Sequence, residues 1–102
     1  MEKAELERQV AAAVDVARRE VPLVGSVTNA VSVNFVANAQ LAAGGSAAMV
    51  YLPDEAEFLA QAGGALYLNL GTLLPVHEET MPRGARAMRE LGKPWVLDPV
   101  GI

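Results

Sequence analysis

Ala65-Leu66-Tyr67-Leu68-Asn69-Leu70-Gly71-Thr72 decides the fold class of this chain. Both alternating sets of side chains in Ala65–Leu70 are mainly apolar, so neither face of such a strand suits water. A strand buried on both faces belongs in a parallel sheet covered by helices, and Gly71-Thr72 ends it. Just upstream, Gly63-Gly64 breaks a helix that starts at Pro53-Asp54 and runs to about Ala62. Asp54 and Glu57 have capping-box spacing for its first turn. Before it, Ala47-Ala48-Met49-Val50-Tyr51-Leu52 reads as another strand. Downstream, Pro75 opens a helix with Glu78 and Glu79 early and Arg83, Arg86, Arg89 and Lys93 late, which suits the helix dipole. Gly92 stops it, and Pro94 to Leu97 forms a third strand leading into Asp98-Pro99-Val100-Gly101-Ile102.

The first half is read by period. Leu6, Val10, Val14, Ala17 and Val21 form one apolar helical stripe over residues 2–20, and Pro22 ends it. Leu23 to Asn29 reads as a loop. A second helix spans about Ala30 to Ala43, with Val31, Phe35, Asn38 and Ala42 at helical spacing and Gly44-Gly45 closing it. The order αα-βα-βα-β predicts one α/β domain over residues 1–102, a mostly parallel sheet with flanking helices. A three-stranded apolar sheet leaves two open edges, so it is expected either to oligomerise or to continue in further sequence.

Composition narrows the function classes. With 102 residues, 52% of them hydrophobic and 20% charged, the chain supports a modest core. A net charge of -4 disfavours a nucleic-acid partner, because phosphate binding needs a basic face. There is no cysteine, hence no disulfide and no thiolate zinc site. The polar, acidic start Met1-Glu2-Lys3-Ala4-Glu5 is no secretory signal, and no apolar run approaches the ~20 residues of a membrane span. A cytoplasmic protein without a membrane partner is expected.

Three polar segments interrupt the apolar pattern where an α/β sheet opens to ligands: Gly25-Ser26-Val27-Thr28-Asn29, Asn69-Leu70-Gly71-Thr72, and Asp98-Pro99-Val100-Gly101. Small residues there let backbone approach a ligand, and the polar ones aim hydrogen bonds at it. Each also has a plain structural role. Thr28 or Asn29 can cap the second helix, Thr72 can cap the helix at Pro75, and Asn69 can satisfy loop amides. Asp98 before a proline can be a turn former, and Met49 alone reads as core. His77, the only histidine, is read as a solvated helix residue without chemistry. No Walker A pattern, GxGxxG or nucleophile elbow is present, so no self-sufficient catalytic mechanism follows from these residues.

These loops resemble a known family. Pro22-Leu23-Val24, Val27-Thr28-Asn29, Asn34-Phe35 and Ala37-Asn38 look like the opening segment of hydroxyethylthiazole kinases. Ser46 to Tyr51 with Met49, Ala65 to Thr72, and Val96-Leu97-Asp98-Pro99-Val100-Gly101 continue the likeness in order, from about residue 5 to 101. The resemblance implies a ribokinase-like fold and a trimer with active sites between subunits. It implies ATP- and Mg²⁺-dependent phosphorylation of the hydroxyethyl group of 4-methyl-5-(2-hydroxyethyl)thiazole in thiamine salvage. It further implies that Asn29 and Met49 line the thiazole pocket, that Asn69, Gly71 and Thr72 border the crevice, and that Asp98 serves Mg²⁺ or the phosphates. A soft methionine suits a thiazole face, and an amide can bond its nitrogen or hydroxyl.

Departures are equally informative. Gly25 stands before the Thr-Asn element where many members have histidine, and Ile102 replaces the alanine that usually follows Asp-Pro-Val-Gly. The family's nucleotide-contacting residues, anion hole and catalytic base are expected beyond Ile102, so no catalytic residue is assigned. The alternative is a non-catalytic, truncated α/β module that oligomerises or binds a thiazole-like ligand.

Overall fold

The computed structural model describes residues 1–101; Ile102, the last residue of the terminal Asp98–Ile102 stretch, lies outside them. Among the described residues four helices alternate with four strands: α1 Lys3–Glu20, β1 Leu23–Val27, α2 Val33–Ala42, β2 Ser46–Met49, α3 Pro53–Ala62, β3 Ala65–Asn69, α4 His77–Leu91 and β4 Trp95–Asp98. All strand pairs are parallel, in the order β2-β1-β3-β4. The expected α/β class with a parallel sheet is therefore what the chain forms.

One element differs from the expected αα-βα-βα-β order. In place of a loop from Leu23 to Asn29, Leu23–Val27 forms β1, an interior strand. Glycine and serine are poor strand formers in isolation, but the packing here demands small side chains. A Cβ at Gly25 would sit 2.8 Å from Leu59 Cδ1 and 3.1 Å from Leu59 Cβ on α3. On the opposite face the fully buried Ser26 accepts a 2.7 Å bond from Gln40 Nε2 of α2. Helices thus press on β1 from both sides, and bulk is excluded from each.

The register sorts the faces. Gly25 pairs with Leu66 and Val27 with Leu68, which puts Leu66 and Leu68 on the α3–α4 side. They join Val27, Ala56, Leu59, Ala60, Met81 and Met88 in the core. Ser26 pairs with Met49 on one side and Tyr67 on the other, while Asn69 pairs with Asp98, all facing the α2 side. Lys93 fastens the bottom of the sheet by donating to the carbonyls of Ala60, Gln61 and Gly63, which end α3. Arg83 of α4 binds Asp54, Glu57 and Glu79, and the bonds to Glu57 and Asp54 raise its pKa above the ordinary guanidinium value.

Smaller differences have physical reasons. The acid that reaches back over the start of α3 is Glu55, which accepts from Leu52 N–H at 3.0 Å; Asp54 and Glu57 serve Arg83 instead. The second helix starts at Val33, three residues after the expected Ala30, because a turn at Asn29–Ser32 precedes it. The apolar stripe of α1 is largely uncovered, with Leu6 and Val10 more than half exposed. The sheet edges are β2 and β4, and Trp95, Val96 and Leu97 on β4 are exposed.

Gly25→Ala is expected to lower unfolding stability by about 1–3 kcal/mol through overpacking against Leu59. Urea denaturation checks this, and an unchanged midpoint would contradict the packing explanation.

Candidate functional site

The order β2-β1-β3-β4 creates a reversal. From β1 the chain passes through α2 to β2 on one side, then returns through α3 to β3 on the other. The carboxyl ends of β1 and β3 therefore flank a topological switch point, where open α/β sheets hold ligands. Two of the three polar segments meet there, and the third follows β4 next door.

Asn29 closes the end of β1. It is only 8% exposed, and its Oδ1 accepts from Val31 N–H at 3.0 Å and Ser32 N–H at 3.2 Å. That is the local turn chemistry expected of an Asx residue. Its Nδ2 donates to Gly71 O at 3.1 Å, 42 positions away, and so ties the β1 loop to the β3 loop. An amide nitrogen carries two protons, so one remains for a ligand or water. The alternatives of cap and binding residue are thus not exclusive at this position. Thr28 is used differently, bonding Ser32 Oγ at 2.8 Å.

Asn69 and Gly71 continue the chain of bonds. Asn69 Oδ1 accepts from Gly71 N–H at 2.8 Å, and Asn69 Nδ2 donates to the Tyr67 hydroxyl at 2.9 Å. A Cβ at Gly71 would lie 3.0 Å from Asn69 Oδ1 and 3.1 Å from Val100 Cγ2, so this crowding favours glycine. Tyr67 donates its one proton to Asp98 Oδ2 at 3.0 Å, and Asp98 Oδ1 accepts from Val100 N–H at 2.9 Å. Burial raises the Tyr67 pKa; the Asn69 bond opposes that rise and the Asp98 carboxylate adds to it. The phenol therefore stays protonated, and its stabilisation is present below its unfolded pKa of about 10 and lost as pH climbs through the higher folded value.

Thr72 and Val100 carry positive φ angles, 51° and 60°. Left-handed backbone at a β-branched residue costs roughly 1–2 kcal/mol, and both residues border the strand ends. Thr72 does not cap the following helix, whose N-terminus at Val76 has no side-chain cap. It lines, with Asn29, Ala30, Tyr51, Leu74 and His77, a small cavity of about 90 Å³. Met49 does not line this cavity; it is half-buried on β2, on the α2 side of the sheet. Asn29, Asn69, Gly71, Thr72 and Asp98 thus belong to one connected region, and Met49 stands apart from the cavity.

His77 corrects an expectation. Read as solvated, it is 1% exposed, because α4 starts under the β2–α3 loop and the ring stacks on Tyr51 with centroids 6.0 Å apart. Its Nδ1 accepts from Leu74 N–H at 2.8 Å, which leaves the proton on Nε2 in the neutral ring. Nε2 is buried without a hydrogen-bond partner among the described residues. Tyr67 is a polar residue of this region that sequence reasoning passed over, as is Tyr51. A tyrosine two positions before Asn69 in an otherwise aliphatic strand is the signal that could have found the first.

A divalent cation would meet one carboxylate here. Among the described residues no group of three or more His, Cys, Asp or Glu side chains could enclose a metal. Asp98 alone fits a Mg²⁺ ion held mainly by phosphate oxygens and water, which is how Mg²⁺ commonly binds with nucleotides. Larger concavities of about 480 Å³ and 410 Å³ lie elsewhere, beside Arg83 and Arg86 on α4 and beside Phe58 on α3. They are open surface grooves, the second reaching Val50 just past the end of β2, and neither is lined by Asn29, Asn69, Gly71, Thr72 or Asp98.

Comparison with known proteins gives concordant results. Residues 14–102 match the Hydroxyethylthiazole kinase family. A hydroxyethylthiazole kinase of Bifidobacterium adolescentis is 55% identical over 83 residues, covering 81% of this chain and 28% of that protein. One from Bifidobacterium longum subsp. infantis is 53% identical over 91 residues, covering 89% of this chain and 29% of the relative. The chain therefore spans under a third of the length of these curated relatives. The solved structure of a hydroxyethylthiazole kinase protein from Pyrococcus horikoshii OT3 superposes with a TM-score of 0.85 at 38% identity, covering 92% of this chain and 37% of that one.

Asn29→Ala leaves the N–H of Val31 without its acceptor, while that of Ser32 keeps the backbone carbonyl of residue 29, and is expected to destabilise the chain by about 1–3 kcal/mol. Urea unfolding together with amide exchange at Val31 and Ser32 checks this. Unaltered exchange at both would show that the Asn29 side chain does not hold the loop.

Proposed function

This chain belongs to the hydroxyethylthiazole kinase family, and from that premise we propose that it supplies the thiazole-recognising side of a kinase site. The reaction is transfer of the ATP γ-phosphoryl group to the hydroxyethyl group of 4-methyl-5-(2-hydroxyethyl)thiazole, a step of thiamine salvage. The observation that carries this reading is the Asn29–Gly71 bond across the β1–β3 switch point, beside a small cavity.

In this reading the free Asn29 amide proton bonds the ring nitrogen or the alcohol oxygen of the substrate. Met49 offers a soft apolar contact near the β2 edge, which requires the substrate to extend beyond the small cavity. Thr72, Gly71 and Asn69 border the crevice and keep the substrate alcohol directed along the strand ends. Phosphoryl transfer depends on orientation and on neutralising oxygen charge, and the Asp98 carboxylate suits a role on Mg²⁺. Bound Mg²⁺–ATP would supply the transferable phosphoryl group and charge compensation. Asp98, fixed by Val100 N–H and Tyr67, would hold that cation with one or two remaining lone pairs.

No residue of this chain is assigned as the base for the substrate alcohol. The reading extends to a cytoplasmic homo-oligomer, a trimer, and the exposure of Val31 and Phe35 on the α2 side supports a self-association surface.

Calorimetric titration with 4-methyl-5-(2-hydroxyethyl)thiazole tests recognition. Binding is expected to weaken about tenfold in Met49→Ala, a loss of about 1.4 kcal/mol, while Asp98→Asn retains it. Binding by an unrelated sugar or nucleoside at the same residues, with none by the thiazole alcohol, would refute the assignment.

A further inference from the structure

We infer that Tyr67 is a positioning residue whose hydroxyl orients the Asp98 carboxylate and couples it, through Asn69 and Gly71, to Asn29 across the switch point. The inference rests on the reading of Asp98 as the cation-facing group of the site. On its own face of the sheet Tyr67 is flanked by Ser26 and Val96, and neither of them bonds its hydroxyl. The hydrogen-bond partners of the hydroxyl are instead Asp98 and Asn69.

The polarity of the whole chain of bonds follows from one charge. An ionised carboxylate only accepts, so the single phenolic proton of Tyr67 points at Asp98 Oδ2. The Tyr67 oxygen must then act as acceptor toward Asn69, which turns the NH₂ group of that amide toward it. The opposite end of the same amide is thereby a carbonyl oxygen, and it meets Gly71 N–H at 2.8 Å. Gly71 in turn presents its carbonyl to Asn29 Nδ2 at 3.1 Å. Reversing any one member would set two donors or two acceptors against each other, so the orientation is determined from Asp98 through to Gly71.

A cation on the remaining lone pairs of Asp98 would draw charge from the oxygen that accepts the Tyr67 proton, and the change passes along this chain. Occupancy at the β4 end is therefore felt at the β1 end, and by linkage the reverse holds as well. The Tyr67 hydroxyl is the member of this path that joins β3 to the β4 carboxylate through side chains.

Tyr67→Phe, which keeps the ring and removes the hydroxyl, tests the inference in the ¹⁵N-labelled chain with Mg²⁺ alone as the probe. Without Mg²⁺, amide exchange at Gly71 is expected to rise about tenfold in the variant, while core amides of α3 and α4 change less than about twofold. On adding Mg²⁺, the unsubstituted chain is expected to show shifts at Asp98, Val100, Gly71 and the Asn29 side chain together. In Tyr67→Phe the apparent Mg²⁺ dissociation constant rises roughly three- to tenfold, and the Gly71 and Asn29 responses disappear. Equal Gly71 exchange in the two proteins overturns the inference, as does an undiminished Asn29 response to Mg²⁺ in the variant. If Mg²⁺ shifts Asp98 in neither protein, the cation reading of Asp98 fails, and the Gly71 exchange comparison still decides the positioning role by itself.

Discussion

The close approach of α3 to β1 at Gly25 is the constraint on which the remaining structure depends. Leu59 occupies the space a side chain at Gly25 would need, so α3 lies directly over an interior strand. β1 lies between β2 and β3, and α3 carries the chain across it on the way from β2 to β3. The reversal is what brings the β1 and β3 loops together. In this chain the absence of a Cβ at position 25 lets Leu59 lie directly on β1 beside Leu66 and Leu68, and the same strand carries Asn29 to the Gly71 carbonyl.

From that constraint the polar chemistry follows in sequence. Both amides at the switch point have their orientation specified, Asn29 by two backbone donors and Asn69 by a backbone donor on one side and a phenol on the other. Side chains held this way present a rigid donor set, and a rigid set loses less ordering entropy when a ligand arrives. The strained backbone at Thr72 and Val100 lies at the margins of the same region. The buried His77 ring adds a further fixed support, since it stacks on Tyr51 and receives the Leu74 amide.

Much of this is legible in the sequence. Ala65–Asn69 and Trp95–Asp98 stand out as strands because their apolar runs are continuous and bounded by glycine and proline. The helix from His77 to Leu91 is marked by its charge gradient and by Gly92, which takes a φ of 66° at the helix end. β1 is not legible, because Gly25 and Ser26 are selected by what packs on them and carry no strand preference of their own. His77 misleads for a related reason: flanking glutamates describe the outer face of α4, whereas the ring turns inward toward Tyr51. At the site, residue types identify Asn29, Asn69, Gly71 and Asp98, but only three-dimensional register reveals that Tyr67 joins them. Met49 keeps to the α2 side of the sheet while lying outside the cavity that Asn29 and Thr72 line.

Ligand recognition, on the function proposed for this chain, is centred on the β1–β3 switch point and not on the larger grooves beside α3 and α4. The most direct measurement is amide and side-chain chemical-shift mapping of the ¹⁵N-labelled chain during titration with 4-methyl-5-(2-hydroxyethyl)thiazole. The largest shifts are expected at the Asn29 side chain and at the amides of Ala30, Gly71 and Thr72. Shifts centred on Val50, Glu55 and Phe58, or on Val76 to Arg86, would contradict that placement.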